Sequence, residues 1–189
     1  EEHEAMGEIE RKVVAQLAAD GIPYSGCLYG GFMLTKDGPK VLEFNARFGD
    51  PETQVVLPRM KADLLDVFLR CDNGTLDGAD VSWDDDWAVS VVLTSAGYPG
   101  SYEKGKPITG IEQAEELEGV TVYHAGTKTI AGELVTNGGR VLNVTAVADT
   151  FEHAREQAYR ACDRIEFEGK TLRRDIGARA LRGRDAWEV

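Results

Sequence analysis

Between Thr127 and Ile165 the spacing of apolar residues changes from two to three or four, which marks strands giving way to a helix. Leu142, Val144, Ala146 and Ala148 alternate along the chain, which puts them on one face of a β-strand. Phe151, Ala154, Ala158, Cys162 and Ile165 then recur at helical steps, with Asp149 or Thr150 placed to cap the helix. Upstream, Ala88–Thr94 is a continuous apolar run and Val120–His124 a short strand. Thr127–Thr136 is expected to pair with Arg140–Ala148 across Asn137-Gly138-Gly139, because Asn-Gly suits a turn with positive φ. These patterns predict a β-rich domain carrying one amphipathic helix.

The first eighty residues follow another plan. Met6, Ile9, Val13 and Leu17 mark an amphipathic helix that Gly21 closes. Two strand-like runs, Tyr24–Leu34 and Lys40–Asn45, flank Asp37-Gly38-Pro39 and predict a β-hairpin. Glu52 to Cys71 is expected to be mostly helical, with Met60, Leu64, Phe68 and Cys71 on one face. From Asp72 to Asp86 the composition shifts to Asp, Gly and Asn, which marks a linker. The expected fold class is α+β, divided into residues 1–80 and 81–189.

Composition narrows the function. Acidic residues outnumber basic ones, 33 to 21, and no run of Lys or Arg interrupts the field, so nucleic acid is an unsuitable partner. An acidic surface with 8 Lys against 13 Arg suits a salt-adapted organism. No apolar stretch approaches the ~20 residues of a membrane span. Cys27, Cys71 and Cys162 are odd in number and far apart, which fits a reducing cytoplasm better than a disulfide framework. The three histidines are equally dispersed and do not form a zinc pattern. The chain opens on Glu1 with neither an initiator Met nor a signal peptide, and is expected to begin inside a longer protein.

The chemistry concentrates in Val41-Leu42-Glu43-Phe44-Asn45-Ala46-Arg47-Phe48-Gly49-Asp50-Pro51-Glu52. Alternation along a strand puts Glu43, Asn45 and Arg47 on one face, with Leu42, Phe44 and Ala46 packed on the other. Glu43 and Asn45 lie ~6.6 Å apart along such a strand, close enough to share one cation. Both offer the hard oxygen ligands that Mg²⁺ takes while phosphates and water complete its shell. Arg47 adds a fork of donors for a phosphate or carboxylate. Asp50 before Pro51 is read as a helix N-cap. Lys128 and Arg140, at the ends of predicted strands, are candidates for holding anionic substrate groups. Gly100 to Lys106 has the spacing of a P-loop, but Pro107 supplies neither hydroxyl nor N–H, so that reading is set aside.

Glu43-Phe44-Asn45-Ala46-Arg47-Phe48-Gly49-Asp50-Pro51-Glu52-Thr53-Gln54 resembles the metal-binding signature of the phosphoribosylamine–glycine ligases, an ATP-grasp family. Tyr24-Ser25-Gly26-Cys27-Leu28-Tyr29-Gly30-Gly31 is similar to the preceding strand of that family. Gly97-Tyr98-Pro99-Gly100, Tyr123-His124-Ala125-Gly126-Thr127-Lys128, Thr136-Asn137-Gly138-Gly139-Arg140 and Arg174-Asp175-Ile176-Gly177 resemble its C-terminal domain, in the same order. The resemblance runs from about residue 20 to 182.

It implies the C-terminal portion of an ATP-grasp lobe followed by a small β-rich domain. It also implies a monomeric ligase joining glycine to 5-phosphoribosylamine through a glycyl phosphate, with ATP as co-substrate. On this reading Glu43 and Asn45 hold Mg²⁺ (or Mn²⁺), Arg47 is catalytic, and Asp50, Lys128 and Arg140 position substrate. Gly26 to Leu34 contains no Asp or Glu where related ATP-grasp enzymes carry another metal-binding carboxylate. The lobe with the phosphate-covering loop is expected to lie outside this chain, which alone is expected to be inactive. Two alternatives stand beside this reading: a non-catalytic binding or assembly module, and another ATP-grasp ligase or carboxylase.

Overall fold

The computed structural model describes residues 2–182, which separate into two units. The first holds residues 2–50 and 61–83, and the second holds 51–60 and 84–181. Seven residues of the expected closing segment, 183–189, lie outside the described part.

In the first unit, α1 spans Glu2–Ala19, and its half-buried residues include the stripe of Met6, Ile9, Val13 and Leu17. A hairpin follows, β1 (Tyr29–Thr35) with β2 (Gly38–Asn45). The first strand starts five residues later than expected. Tyr24 donates its hydroxyl to the Cys27 carbonyl at 2.6 Å, which fits the irregular path there. Thr35 Oγ1 accepts from the Asp37 N–H and donates to the Gly38 carbonyl, locking the turn. α1 packs against this hairpin so closely that a Cβ on Gly30 would lie 2.8 Å from Glu10 Oε1.

The expected helix from Glu52 to Cys71 is broken. α2 is only Thr53–Val56, a 3₁₀ turn covers Leu57–Arg59, and α3 runs Leu64–Asp72. Pro58 sits in the 3₁₀ turn, where its missing N–H costs least. Asp63 then captures the N–H groups of Leu65 and Asp66, so its side chain starts α3 afresh. Contrary to the expected common face, Met60 does not join Leu64, Phe68 and Cys71 on a helix; it lies in extended backbone and in the second unit.

The second unit is built on a four-stranded antiparallel sheet, in which the strand starting at Val120 pairs with that starting at Arg140, then Trp87, then Lys170. Its strands are β3 (Trp87–Ser95), β4 (Val120–His124), β7 (Arg140–Ala148) and β8 (Lys170–Thr171). The short helix α4, Ile111–Glu115, precedes β4. The expected strand Thr127–Thr136 is instead a hairpin of its own, β5 (Thr127–Ile130) with β6 (Glu133–Thr136). Its turn is Ala131-Gly132, both at positive φ. β7 pairs with β3 and β4, so Asn137-Gly138-Gly139 is a loop between sheets, and Gly126 passes close beneath Gly138.

Helix α5, Phe151–Arg164, packs on β3 and β7. Thr150, the second of the two expected caps, accepts from the His153 N–H at 3.3 Å. Ala154, Ala158, Cys162 and Ile165 meet Val91, Leu93, Leu142 and Val144 in a core from which all eight are excluded from solvent. Lys170 Nζ caps the far end of α5 by donating to the carbonyls of Cys162 and Ile165.

One face of β7 was expected to be buried, but both are. Val141, Asn143 and Thr145 lie on the face opposite Leu142 and Val144, yet they too are inaccessible. α2 packs against β3 and β7, and the Thr145 hydroxyl donates to Ser90 Oγ at 2.9 Å on that second face. Burial pushes the Cys162 thiol up to about 12, with Asp163 adding to the shift. At pH 8 this thiol carries almost no thiolate, the species that reacts. Iodoacetamide on the native protein should therefore modify Cys71, modify Cys27 more slowly because burial and the neighbouring Cys71 raise that thiol too, and spare Cys162 until denaturant is added. Mass spectrometry counts the adducts, and alkylation of native Cys162 as fast as Cys71 would contradict the packing.

Candidate functional site

The strand β2 presents its carboxylate and amide as the alternation requires. Asn45 Nδ2 lies 3.4 Å from Glu43 Oε1, so the two side chains share a face. Across the hairpin, Gly31 stands opposite Glu43 and Tyr29 opposite Asn45. Gly31 has no side chain to lay over the carboxylate, and Glu43 remains exposed. A half-turn of the Asn45 amide exchanges its nitrogen for its oxygen, giving two oxygens toward one point. This donor set fits a hard divalent cation with few protein ligands. Among the described residues no group of three or more His, Cys, Asp or Glu gathers into a metal cluster, so this pair is the better candidate.

Arg47 does not extend the row. β2 ends at Asn45, and Arg47 Nη1 donates to the Phe48 carbonyl at 2.9 Å. The alternation argument fails here because the strand has already stopped. The apolar face is also less covered than expected: Leu42 is 63% exposed and Ala46 is exposed, while Phe44 meets Phe32 edge to face at 6.3 Å. Asp50 is not the N-cap of α2; Glu52 holds that position without a side-chain cap. The turn runs two residues further than the Asp-Pro pair suggested.

The other two expected residues lie in the second unit. Lys128 is exposed on β5, opposite Val135. Arg140, at the start of β7, lines a cleft of about 480 Å³ with Ser90, Thr94, Tyr98, Thr171 and Arg173 among its other walls. Thr94 and Thr171 share a hydroxyl hydrogen bond of 2.6 Å where β3 meets β8. The Tyr98 ring lies on the backbone of Gly139, where a Cβ would sit 2.2 Å from Tyr98 Cδ2. Only glycine allows that approach beside Arg140. Asp175 grips Arg173 through Nε at 2.9 Å and Nη2 at 2.7 Å, which lowers the carboxyl and raises the guanidinium. Arg140 and the hydroxyls are thus grouped on one wall system, whereas Lys128 is not part of it. Tyr98 and Arg173 carried no assigned role in the sequence, though both lie in or next to quoted motifs. His124, exposed at the end of β4, hydrogen-bonds Thr127 Oγ1 at 3.0 Å, a local structural contact.

Residues 1–53 match the ATP-grasp (A) domain of phosphoribosylglycinamide synthetase, and residues 88–179 match its C domain. An ATP-grasp segment with a strand-borne carboxylate–amide pair, followed by a sheet-and-helix C domain, is therefore the class of protein at hand. The phosphoribosylamine–glycine ligase of Caldanaerobacter subterraneus subsp. tengcongensis is 50% identical over 177 residues, 92% of this chain and 42% of the relative. That of Chlorobaculum tepidum is 51% identical over 174 residues, 92% of this chain and 41% of the relative. The crystal structure of the Thermotoga maritima phosphoribosylamine–glycine ligase superposes with a TM-score of 0.71 at 40% identity, covering 85% of this chain and 39% of that one. The chain belongs to the phosphoribosylglycinamide synthetase family, and it spans about two-fifths of the length of these relatives.

Proposed function

We propose that this chain is the C-terminal portion of an ATP-dependent ligase that joins glycine to 5-phosphoribosylamine. Residues 1–80 belong to its ATP-grasp domain and 81–189 form its C-terminal domain. The observation that carries the reading is the Glu43–Asn45 pair, 3.4 Å apart on an open strand face, within a segment matching the synthetase's ATP-grasp domain.

The chemistry follows from charge. A glycine carboxylate is a poor electrophile, so the γ-phosphoryl group of ATP is placed on it, and the amine then displaces phosphate. Phosphoryl transfer is governed by positioning and by neutralising spread negative charge. Glu43 and Asn45 would hold Mg²⁺ or Mn²⁺, which supplies that neutralisation on the nucleotide phosphates. Arg47 exchanges its bond to the Phe48 carbonyl for the transferring phosphoryl group or the glycine carboxylate. Asp50 and Lys128 position substrate. Arg140, in a cleft with two threonine hydroxyls, anchors the phosphate of the phosphoribosyl group. The protein works as a monomer in the cytoplasm, a setting that suits its three free thiols, without nucleic acid or membrane as partners.

The complete protein should release ADP and phosphate from ATP only when both glycine and phosphoribosylamine are present. Bicarbonate or formate in place of glycine should give no turnover. ADP release that follows bicarbonate and ignores glycine would move the protein to another ATP-grasp reaction.

A further inference from the structure

Arg155, Tyr159 and Asp163 recur every four residues along α5, one position beyond the sheet-facing Ala154, Ala158 and Cys162. This row grips the chain between Arg173 and Ile176. The Tyr159 hydroxyl donates to the Arg173 carbonyl at 2.8 Å and accepts the Ile176 N–H at 3.1 Å. Arg155 donates from Nε to the Ile176 carbonyl at 2.8 Å and from Nη2 to the Arg174 carbonyl at 3.1 Å. The Arg155 guanidinium also lies 4.8 Å from the centre of the Tyr159 ring. Asp163 takes Arg174 Nη2 at 2.6 Å, drawing that side chain onto the helix. Its neighbour Arg173 and the nearby Ile176 line the cleft that holds Arg140.

We infer that Arg155 and Tyr159 are positioning residues for that cleft. They hold the main chain of 173–176 so that Arg173 faces a bound phosphorylated sugar, and they act through Arg173 without touching the ligand. The two consecutive arginines part on this fixed main chain: Asp163 draws Arg174 onto the helix, while Arg173, its guanidinium held by Asp175, lines the cleft. Two bonds to a single hydroxyl, two bonds to carbonyls and a stacked guanidinium fix this four-residue segment at three main-chain carbonyls and one amide. This inference rests on the reading of the cleft as a phosphate anchor.

The test is an NMR titration of the chain with ribose 5-phosphate, for wild type, Tyr159→Phe, Arg155→Lys and Arg140→Ala. Tyr159→Phe keeps the ring, its burial and its stacking, and removes only the hydroxyl. Arg155→Lys keeps the charge but loses the paired bonds to two carbonyls. The Kd should rise at least about fivefold in each clamp variant, while the melting temperature stays within a few degrees. If Tyr159→Phe fails to fold, Arg155→Lys decides. Wild-type affinity in the folded clamp variants, with binding lost in Arg140→Ala, overturns the clamp and leaves the cleft reading intact. Absence of wild-type binding, or binding untouched in Arg140→Ala, overturns both.

Discussion

Replacing Glu43 by alanine in the complete protein should lower kcat of the proposed ligase reaction by at least ~100-fold, the scale on which loss of one charge-stabilising group acts in a reaction of this kind. The side chain stands exposed on β2 with Gly31 opposite and Asn45 beside it, so its removal leaves no cavity and breaks no core contact. Stability should therefore hold while turnover collapses. Glu43→Asp keeps the charge but withdraws it by one methylene, and should sit between alanine and wild type. Raising magnesium should recover part of the activity of the aspartate variant and none of that of the alanine variant. A Glu43→Ala enzyme with ordinary ATP-dependent amide formation would remove the metal assignment and, with it, the main support for the proposed chemistry.

The second large effect is on folding. Leu142 is fully buried in β7, paired with Leu93 on one side and His124 on the other. Leu142→Ala removes three methyl or methylene-scale groups from the centre of the sheet and leaves a cavity that strand hydrogen bonds prevent from closing. Such deletions cost about 2–5 kcal/mol, and a fully buried central position belongs in the upper half of that range. Against a total of about 5–15 kcal/mol, the second unit should lose a large share of its stability. Urea unfolding followed by near-ultraviolet circular dichroism would show it as a lower midpoint. An unchanged midpoint would mean that the packing at β7 is not as described. His124, at the sheet end and exposed, offers the contrast: His124→Ala should change the midpoint little.

The elements that sequence periodicity located well are those whose environment is local. The stripe of α5 and the cap at Thr150 needed only helical spacing and a hydroxyl before an apolar run. Glu43 and Asn45 needed only alternation, because both lie inside β2. Arg47 was misplaced by the same rule, since alternation says nothing about where a strand stops. Pairing was harder. Asn137-Gly138 has the better turn chemistry, yet the hairpin closes at Ala131-Gly132 with Ala131 held at positive φ, because β7 pairs with β3 and β4 instead. That pairing is settled by buried area between residues some fifty positions apart, such as Val91 and Val144, which no local pattern carries. The burial of Asn143 and Thr145 was hidden for a similar reason: polar residues on a strand usually face water, and their cover comes from α2, about ninety residues earlier. The cleft wall at Arg173 depends on hydrogen bonds to backbone carbonyls, which composition does not encode.

The ten residues Pro51–Met60 leave one unit, lay α2 against the sheet of the other, and return before the chain crosses again after Trp83. The chain therefore enters the second unit twice. A cut near residue 80 would deliver β3 and β7 with one side stripped, exposing a row of threonine, serine and asparagine together with Val92 and Val141. Gene fusion, circular permutation or exchange between homologues would have to carry two separate stretches of chain as a single cassette. Selection acting on the junction after the strand of Glu43 and Asn45 is in that sense also acting on the interior of the unit that follows.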